Sequence, residues 1–407
     1  MQVSASFLIL FIFSFVAQAG PQSATMKSQT IFDELLEKNL TQHQEIRAYR
    51  KEIEAAKSKS NESFWLGDTV LSVARTGTES PLGGGLNAQT ESGITQNFNW
   101  PGKSYSLFRL AELEVEQVNI ESEKKSRQIE KETALLYSQL LSISQKINIA
   151  RQKIVTLNAA KIITSRNVRS GLAVTVDDNL IEREIELTQL QIDQLVSDQS
   201  QRATEIETKI PGAKIGAEGI ASTAVIPRSY FQAKNNQTSD LSLRMFSFNV
   251  ERSLAETIYR RQSIWPDLSL NLTRKNQSDY SVGLGFTIPL WYPFKQSKQI
   301  ASAEGLAQAS QLRLDYQKQV APLAEILLRT KIQTLKKQIQ GRKRIINTIS
   351  ESTLKQAKAF FARGRIDWKQ LQLVVNAVFE DQEKFVDLDL DLFSAQLDLY
   401  ERLGVIE

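Results

Sequence analysis

The residue types that carry out chemistry are sparse in this chain. His43 is the only histidine among 407 residues, and there is no cysteine. A serine–histidine or cysteine–histidine pair would have to use His43, and no glycine-framed serine motif accompanies it. The absent thiols exclude a disulfide scaffold, a thiolate zinc site, a cysteine nucleophile and lipid attachment to an N-terminal cysteine. His43 lies in a polar helical stretch and reads as a solvated surface residue. Three methionines, one of them Met1, are too few soft ligands to argue for metal handling. Carboxylates are plentiful, but on heptad-patterned helices they form the solvated face. Three acids stand apart, each a few residues beyond a glycine-centred break: Asp177, Asp178 and Asp367. Acids favour helix N-termini, and Thr175-x-x-Asp178 has capping-box spacing, so these acids read first as helix starters. The chain reads as a non-enzyme, with no catalytic residue, no cofactor and no resident metal.

The elements that position these acids occur twice. Asn99-Trp100-Pro101-Gly102-Lys103 is matched by Trp291-Tyr292-Pro293-Phe294-Lys295, and Arg169-Ser170-Gly171 by Ala362-Arg363-Gly364. The lysines stand 192 residues apart and the glycines 193. The repeat far exceeds the 20–50 residues of solenoid units, so it reads as one large supersecondary unit copied once. The expected organisation is a signal peptide over 1–19, repeat 1 over 20–210, a connector over 211–239 and repeat 2 over 240–407. Repeat 1 holds a helix (about Thr30–Ser60), a β-hairpin (64–100), a long helix (104–168) and a helix (176–209). Repeat 2 holds a helix (about Leu241–Gln262), a β-hairpin (265–290), a long helix (296–362) and a helix (367–402). The connector is rich in Gly, Pro and Asn and reads as irregular.

The leader, Phe7 to Ala19, is an apolar run ending in Ala17-x-Ala19, without a basic residue before it. No later segment has 18 consecutive apolar residues, so no second helical span is expected. The net charge of +4 is small for this length. No basic cluster is interleaved with aromatics, which argues against a nucleic-acid partner.

Residues 104–168 contain neither proline nor glycine. Ile129, Leu136, Ile143, Ala150 and Leu157 recur at steps of seven, with Leu140, Ile147 and Ile154 between them, which is a coiled-coil seam. In the last helix Leu371, Val374, Val378, Asp381, Phe385, Leu388, Leu392, Ala395 and Leu399 step by three and four, and only Asp381 interrupts the apolar run. Roughly 65 helical residues at 1.5 Å each reach about 100 Å, too long for a compact domain. Pro322 falls inside the second long helix and predicts a bend near Lys318.

The strands alternate. Val282, Leu284, Phe286 and Ile288 share one face, and Ser281, Gly283, Gly285 and Thr287 the other. Leu268, Leu270 and Leu272 alternate with Ser269, Asn271 and Thr273. Ile94, Phe98 and Trp100 alternate with Thr95, Asn97 and Asn99, although Gln96 breaks the apolar face, and the strand-like segment from Phe64 to Thr76 alternates poorly. This pattern suits either a soluble sandwich or a membrane barrel. The strand lengths suit a tilted span. Trp65, Trp100, Trp265, Trp291 and Tyr292 lie at or near strand ends, where interfacial aromatics belong. Four strands cannot close a barrel, and open edges are not tolerated in lipid, so several copies must contribute.

These residues converge on a family. The chain resembles the TolC-like outer-membrane efflux proteins, through Leu35-Leu36-Glu37-Lys38-Asn39, Gln96 to Lys103, Arg169-Ser170-Gly171-Leu172 followed by Asp177, Val282 to Leu290, and Arg363-Gly364-Arg365-Ile366-Asp367. The resemblance implies a fold that is mainly α with a membrane β-barrel part: a homotrimer whose twelve strands form one barrel, continued by an α-helical periplasmic tunnel. It implies a passive exit duct in the outer membrane for small molecules or metal ions. Its partners would be outer-membrane lipid, a periplasmic adaptor (membrane fusion protein) and an inner-membrane pump of RND or ABC type. The adaptor would meet the tips, Ser170, Gly171 and Leu172 in one repeat and Arg363, Gly364 and Arg365 in the other. Asp177, Asp178 and Asp367 would flank the periplasmic aperture. Pro101, Gly102, Lys103, Pro289 and Pro293 would form the barrel-to-helix corners. The chain departs from the family at Asn39-Leu40, where Asn-Pro is frequent. Two alternatives stay open at this level: the duct of a type I protein-secretion system, and a secreted coiled-coil stalk without a pore.

Overall fold

The computed structural model describes residues 32–61, 66–78, 87–170, 175–210, 228–233, 240–275, 279–287 and 296–404. The expected signal peptide, most of the connector, the first hairpin's loop and the centre of the second hairpin's turn lie outside them. In chain order the elements are α1 (32–42), α2 (Gln44–Ser60), β1 (Leu66–Thr78), β2 (Asn87–Phe98), α3 (Pro101–Arg169), α4 (Thr175–Lys209), α5 (Arg228–Ala233), α6 (Leu241–Gln262), β3 (Asp267–Lys275), β4 (Asp279–Thr287), α7 (Ser297–Ile345), a π-turn (Ile346–Ser350), α8 (Glu351–Ala362) and α9 (Trp368–Leu403). The order helix, hairpin, long helix, helix runs twice through the chain.

Several boundaries differ from expectation. The first helix is interrupted at His43, although His43 N–H still reaches Asn39 O at 2.9 Å and Arg47 N–H reaches His43 O at 3.1 Å. His43 is half-buried and its Nδ1 is buried without a hydrogen-bond partner, so it is not the solvated residue expected. Pro101, Gly102 and Lys103 are not a corner ahead of the helix but its first turn. Proline at a first helical position sacrifices an N–H that no intrahelical acceptor would have used. Trp100 lies between β2 and α3 rather than in the strand. The connector is not wholly irregular, since it carries α5. The helix runs through Pro322, and a π-turn follows at Ile346–Ser350.

The chain divides into two compact units. One comprises 1–47, 124–240 and 323–407. Its seams follow the heptads in part: Ile129, Leu136, Leu140, Ile147, Ala150 and Leu157 of α3 are buried, as are Leu371, Val378, Leu392, Ala395 and Leu399 of α9, whereas Ile143, Ile154, Val374, Phe385 and Leu388 are half-buried and Val375, Phe379 and Val386 are buried off the expected stripe. Asp381, the one polar interruption, accepts a 2.6 Å hydrogen bond from Arg342 Nη1 of α7. An aromatic cluster of Phe32, Tyr137, Phe231, Phe393 and Tyr400 forms the largest core. Phe231 of α5 is fully buried there, 4.8 Å from the Tyr400 ring centroid, and Arg228 pairs with Asp389 at 2.6 Å. One buried phenylalanine supplies about 2–3 kcal/mol, which is how a six-residue helix is held in place. Tyr400 Oη donates to the buried Glu130 carboxylate. Burial, with that carboxylate beside it, pushes the Tyr400 phenol up, and burial pushes Tyr137 up to about 12.

The other unit comprises 48–123 and 241–322. Its core joins Leu113 and Ile120 of α3 to Leu241, Phe248 and Ala255 of α6. Its four strands form one antiparallel sheet in the order β1-β2-β3-β4, so β1 and β4 are edges. The register pairs Ile94 with Leu71 on one side and Leu272 on the other, and Leu272 with Val282. The sheet is open in one chain.

Candidate functional site

Three places carry the residues singled out above: the two faces of the sheet, the strand-to-helix junction and the helix tips.

The sheet has two unlike faces. One presents Leu71, Val73, Ile94, Leu272, Val282, Leu284 and Phe286, all exposed, with Leu284 at 77% and Val73 at 79%. Isolated exposed apolar residues are ordinary; a contiguous face of them marks a surface meant to be covered. The opposite face is small and polar. Ser269 is buried beside Gly285, and a Cβ at Gly93 would lie 2.9 Å from both Ser72 Oγ and Thr273 Cγ2. Thr273 and Ser281 bond across β3 and β4. The alternation read from the sequence is therefore real, and the apolar side is the bare one, which is the reverse of a soluble sandwich.

At the junction the two repeats meet. The indoles of Trp100 and Trp265 stack with centroids 5.4 Å apart and planes 10° from parallel. Lys103 Nζ donates to Asp267 Oδ2 at 2.6 Å, and Trp100 N–H to Asp267 Oδ1 at 3.3 Å. Gln262, the last residue of α6, bonds Ser106 and fills the space beside Gly102, where a Cβ would come within 3.3 Å of its Cδ. Pro101, Gly102 and Lys103 enter this cluster as the first turn of α3. Pro289 and Pro293 lie outside the described residues. Sequence reasoning missed Asp267, Gln262 and the indole pairing. The tryptophans at matched strand ends were the available signal.

The second tip is a Schellman closure. Arg365 N–H reaches Phe360 O at 2.9 Å and Gly364 N–H reaches Phe361 O at 3.0 Å, with Gly364 at φ 68°. That left-handed backbone is why glycine stands there. Arg363, Gly364 and Arg365 are exposed, and the Arg365 guanidinium lies 6.0 Å from the Phe360 ring centroid. Asp367 caps α9: its Oδ1 accepts from Gln370 N–H at 2.7 Å, and Gln370 Oε1 accepts from Asp367 N–H at 3.3 Å. Trp368 follows at 2% exposure, packed on Phe361.

At the first tip Ser170 is exposed, while Gly171 and Leu172 lie outside the described residues. Asp178 accepts from Ser165 Oγ at 2.7 Å, which ties the start of α4 to α3. Asp177, one residue earlier, is half-buried and makes no ion pair or hydrogen bond among the described residues. The three acids therefore have three different surroundings. Above them Lys153 of α3 pairs with Glu184 of α4 at 2.8 Å, and Glu184 also accepts from Gln372 of α9 at 3.0 Å. This three-helix link was invisible in the heptads, because polar partners carry no periodic signal. Lys358 of α8 donates to Thr156 Oγ1 at 3.0 Å, and burial holds its ammonium pKa below the usual lysine range. Among the described residues no group of three or more His, Cys, Asp or Glu could hold a metal, and no helix is long and apolar enough to cross a membrane.

No protein-family model matches the chain, and no curated protein matches it in sequence. Solved structures do match. The outer-membrane channel OprN superposes with a TM-score of 0.75 at 14% identity, over 94% of this chain and 92% of that one. The outer-membrane protein VceC of Vibrio cholerae gives 0.73 at 15% identity, over 92% and 96%. CusC, whose structures concern transmembrane channel formation, gives 0.74 at 13% identity, over 92% of each chain. At such identities the likeness is one of backbone architecture: the chain has the fold of outer-membrane channel proteins, the fold that its resemblance to TolC-like efflux proteins implied.

Proposed function

We propose that this chain is a passive outer-membrane exit duct of a tripartite efflux pump. The observation that supports it best is the four-stranded sheet, apolar and bare on one face, small and polar on the other, with two unpaired edges. In lipid every backbone donor and acceptor must be paired, so such a sheet requires sister copies to close it. In a homotrimer the edge strands β1 and β4 of neighbouring copies pair and give twelve strands. The apolar face then meets lipid and the Ser, Thr, Asn and Gly face lines a watery lumen. The stacked indoles of Trp100 and Trp265 sit at the membrane boundary, as interfacial aromatics do.

The rest of the reading follows from this arrangement. The helices extend into the periplasm, the tips at Ser170–Leu172 and Arg363–Arg365 meet a periplasmic adaptor, and an inner-membrane pump of RND or ABC type supplies energy. Small molecules or metal ions leave through the lumen; a duct supplied by a pump needs no catalytic group or cofactor of its own. Asp177, Asp178 and Asp367, tripled by symmetry, border the aperture.

The test is reconstitution of the purified mature protein. Heat-modifiable trimers that conduct ions across a planar bilayer are expected. A water-soluble monomer that passes no current would end the proposal.

A further inference from the structure

The interval between the matched lysine and glycine is one residue longer in the second repeat than in the first. Lys103 to Gly171 spans 68 residues and Lys295 to Gly364 spans 69. Helix α3 is continuous α-helix over Pro101–Arg169, whereas its counterpart opens on a π residue at Gln296 and is interrupted internally by a π-turn at Ile346–Ser350. A π-turn closes its hydrogen bond over five residues rather than four, and so stores one extra residue within a helix.

The packing confirms where the residue is stored. On α7, Leu328, Ile332, Leu335 and Ile339 face Leu388, Leu392, Ala395 and Leu399 of α9. Continued unbroken, that rhythm of threes and fours would bring Thr353, Gln356 and Phe360 to the seam. The residues packed there are Leu354, Ala357 and Phe361, each one later. Phe361 is 7% exposed and Phe360 39%. Asp381 interrupts the α9 stripe and pairs with Arg342, while Ile345 and Ile349 point away, both exposed.

We infer that the π-turn, with the Arg342–Asp381 layer beside it, is a pivot that lets α8 and the second tip change register against α7. Passing the extra residue from the π-turn to the tip rotates α8 by about 100° and advances it about 1.5 Å. Phe360 then takes the place of Phe361, so a phenylalanine fills that layer in either register. Leu354 and Ala357 are exchanged for Thr353 and Gln356, which makes the observed register the stable one. The tip can accept the residue, because nothing lies within 4 Å of a Cβ built at Gly364. Helix α3 has no π-turn, so only the second hairpin carries this device. The inference concerns motion within one chain and stands apart from whether the chain conducts.

Deleting Thr348 from the full-length protein tests it. The deletion should leave one continuous α-helix with both seams in register. The expected result is a Tm at or above that of the parent, with amide exchange over 345–351 and 360–366 slowed at least 10-fold. Deleting Gln333 is the comparison, since it displaces Leu335 and Ile339 and should lower Tm. A Thr348 deletion that lowers Tm as far as the Gln333 deletion, or leaves either stretch exchanging as before, overturns the inference.

Discussion

Lys103 Nζ lies 2.6 Å from Asp267 Oδ2, and this ion pair joins the start of the first long helix to the first strand of the second repeat. Both side chains are less than a third exposed, at 17% and 27%, so solvent screens the pair only in part. The carboxylate also accepts from the Trp100 N–H, which fixes its orientation. Asp267→Ala removes both bonds and should cost about 1–2 kcal/mol. A double-mutant cycle with Lys103→Met, read by thermal melting, should return a coupling of about 1 kcal/mol. A coupling of zero would mean that this ion pair adds nothing to the joint between the repeats.

The polar face of the sheet tolerates little bulk at Gly285. A Cβ there would collide with Ser269 Oγ on the paired strand. Gly285→Val should destabilise by about 1–3 kcal/mol through overpacking. Adding Ser269→Gly should recover most of the loss. Trimer yield after mild heating is the measurement, and failure of the second change to rescue the first would place the cost elsewhere.

Asp367 and Asp177 should separate in their effects. Asp367 closes a capping box, so Asp367→Ala should cost about 1 kcal/mol in thermal stability, with Asp367→Asn nearly silent. Asp177 serves no partner among the described residues, so Asp177→Ala should leave Tm unchanged and weaken block by divalent cations in single-channel records. Equal block in parent and variant would remove Asp177 from the aperture.

Gly364 holds φ at 68° with open space around its Cα. Gly364→Ala should therefore cost about 1 kcal/mol from backbone strain and nothing from clash. Gly364→Asn should cost less, because asparagine visits that region more readily. Melting curves of the two variants decide it; equal losses would point to a contact rather than a conformation.

Alkaline stability should follow Tyr137. Its phenol is raised by burial from 10.0 to about 12 in the folded chain. The unfolded chain then loses its proton first, so the stabilisation is complete below pH 10 and is lost as pH rises towards 12. Tm should fall over that window, and Tyr137→Phe should flatten the fall. An unchanged slope in Tyr137→Phe would leave the raised Tyr400 or another group responsible.

The duplication, the long helices, most of the strand alternation and much of the seams could be read from the order of residues alone. Each is a local repetition: Ile129 to Leu157 recur at seven, Val282 to Phe286 at two, and a period fixes which face is apolar whatever the partners are. That order did not determine which face of the sheet would be bare, because alternation is the same for a sandwich and a barrel. The folded sheet settles it, with Leu71, Leu284 and Phe286 uncovered. Pairings such as Lys103 with Asp267, Trp100 with Trp265 and Glu184 with Lys153 and Gln372 also needed the tertiary structure. Their partners lie far apart in the chain and follow no period, and only folding brings them within hydrogen-bonding or stacking distance. The one-residue difference between the repeats lay in plain view as 192 against 193, but its meaning required the π-turn, because a count of residues does not say which turn of a helix holds the extra one.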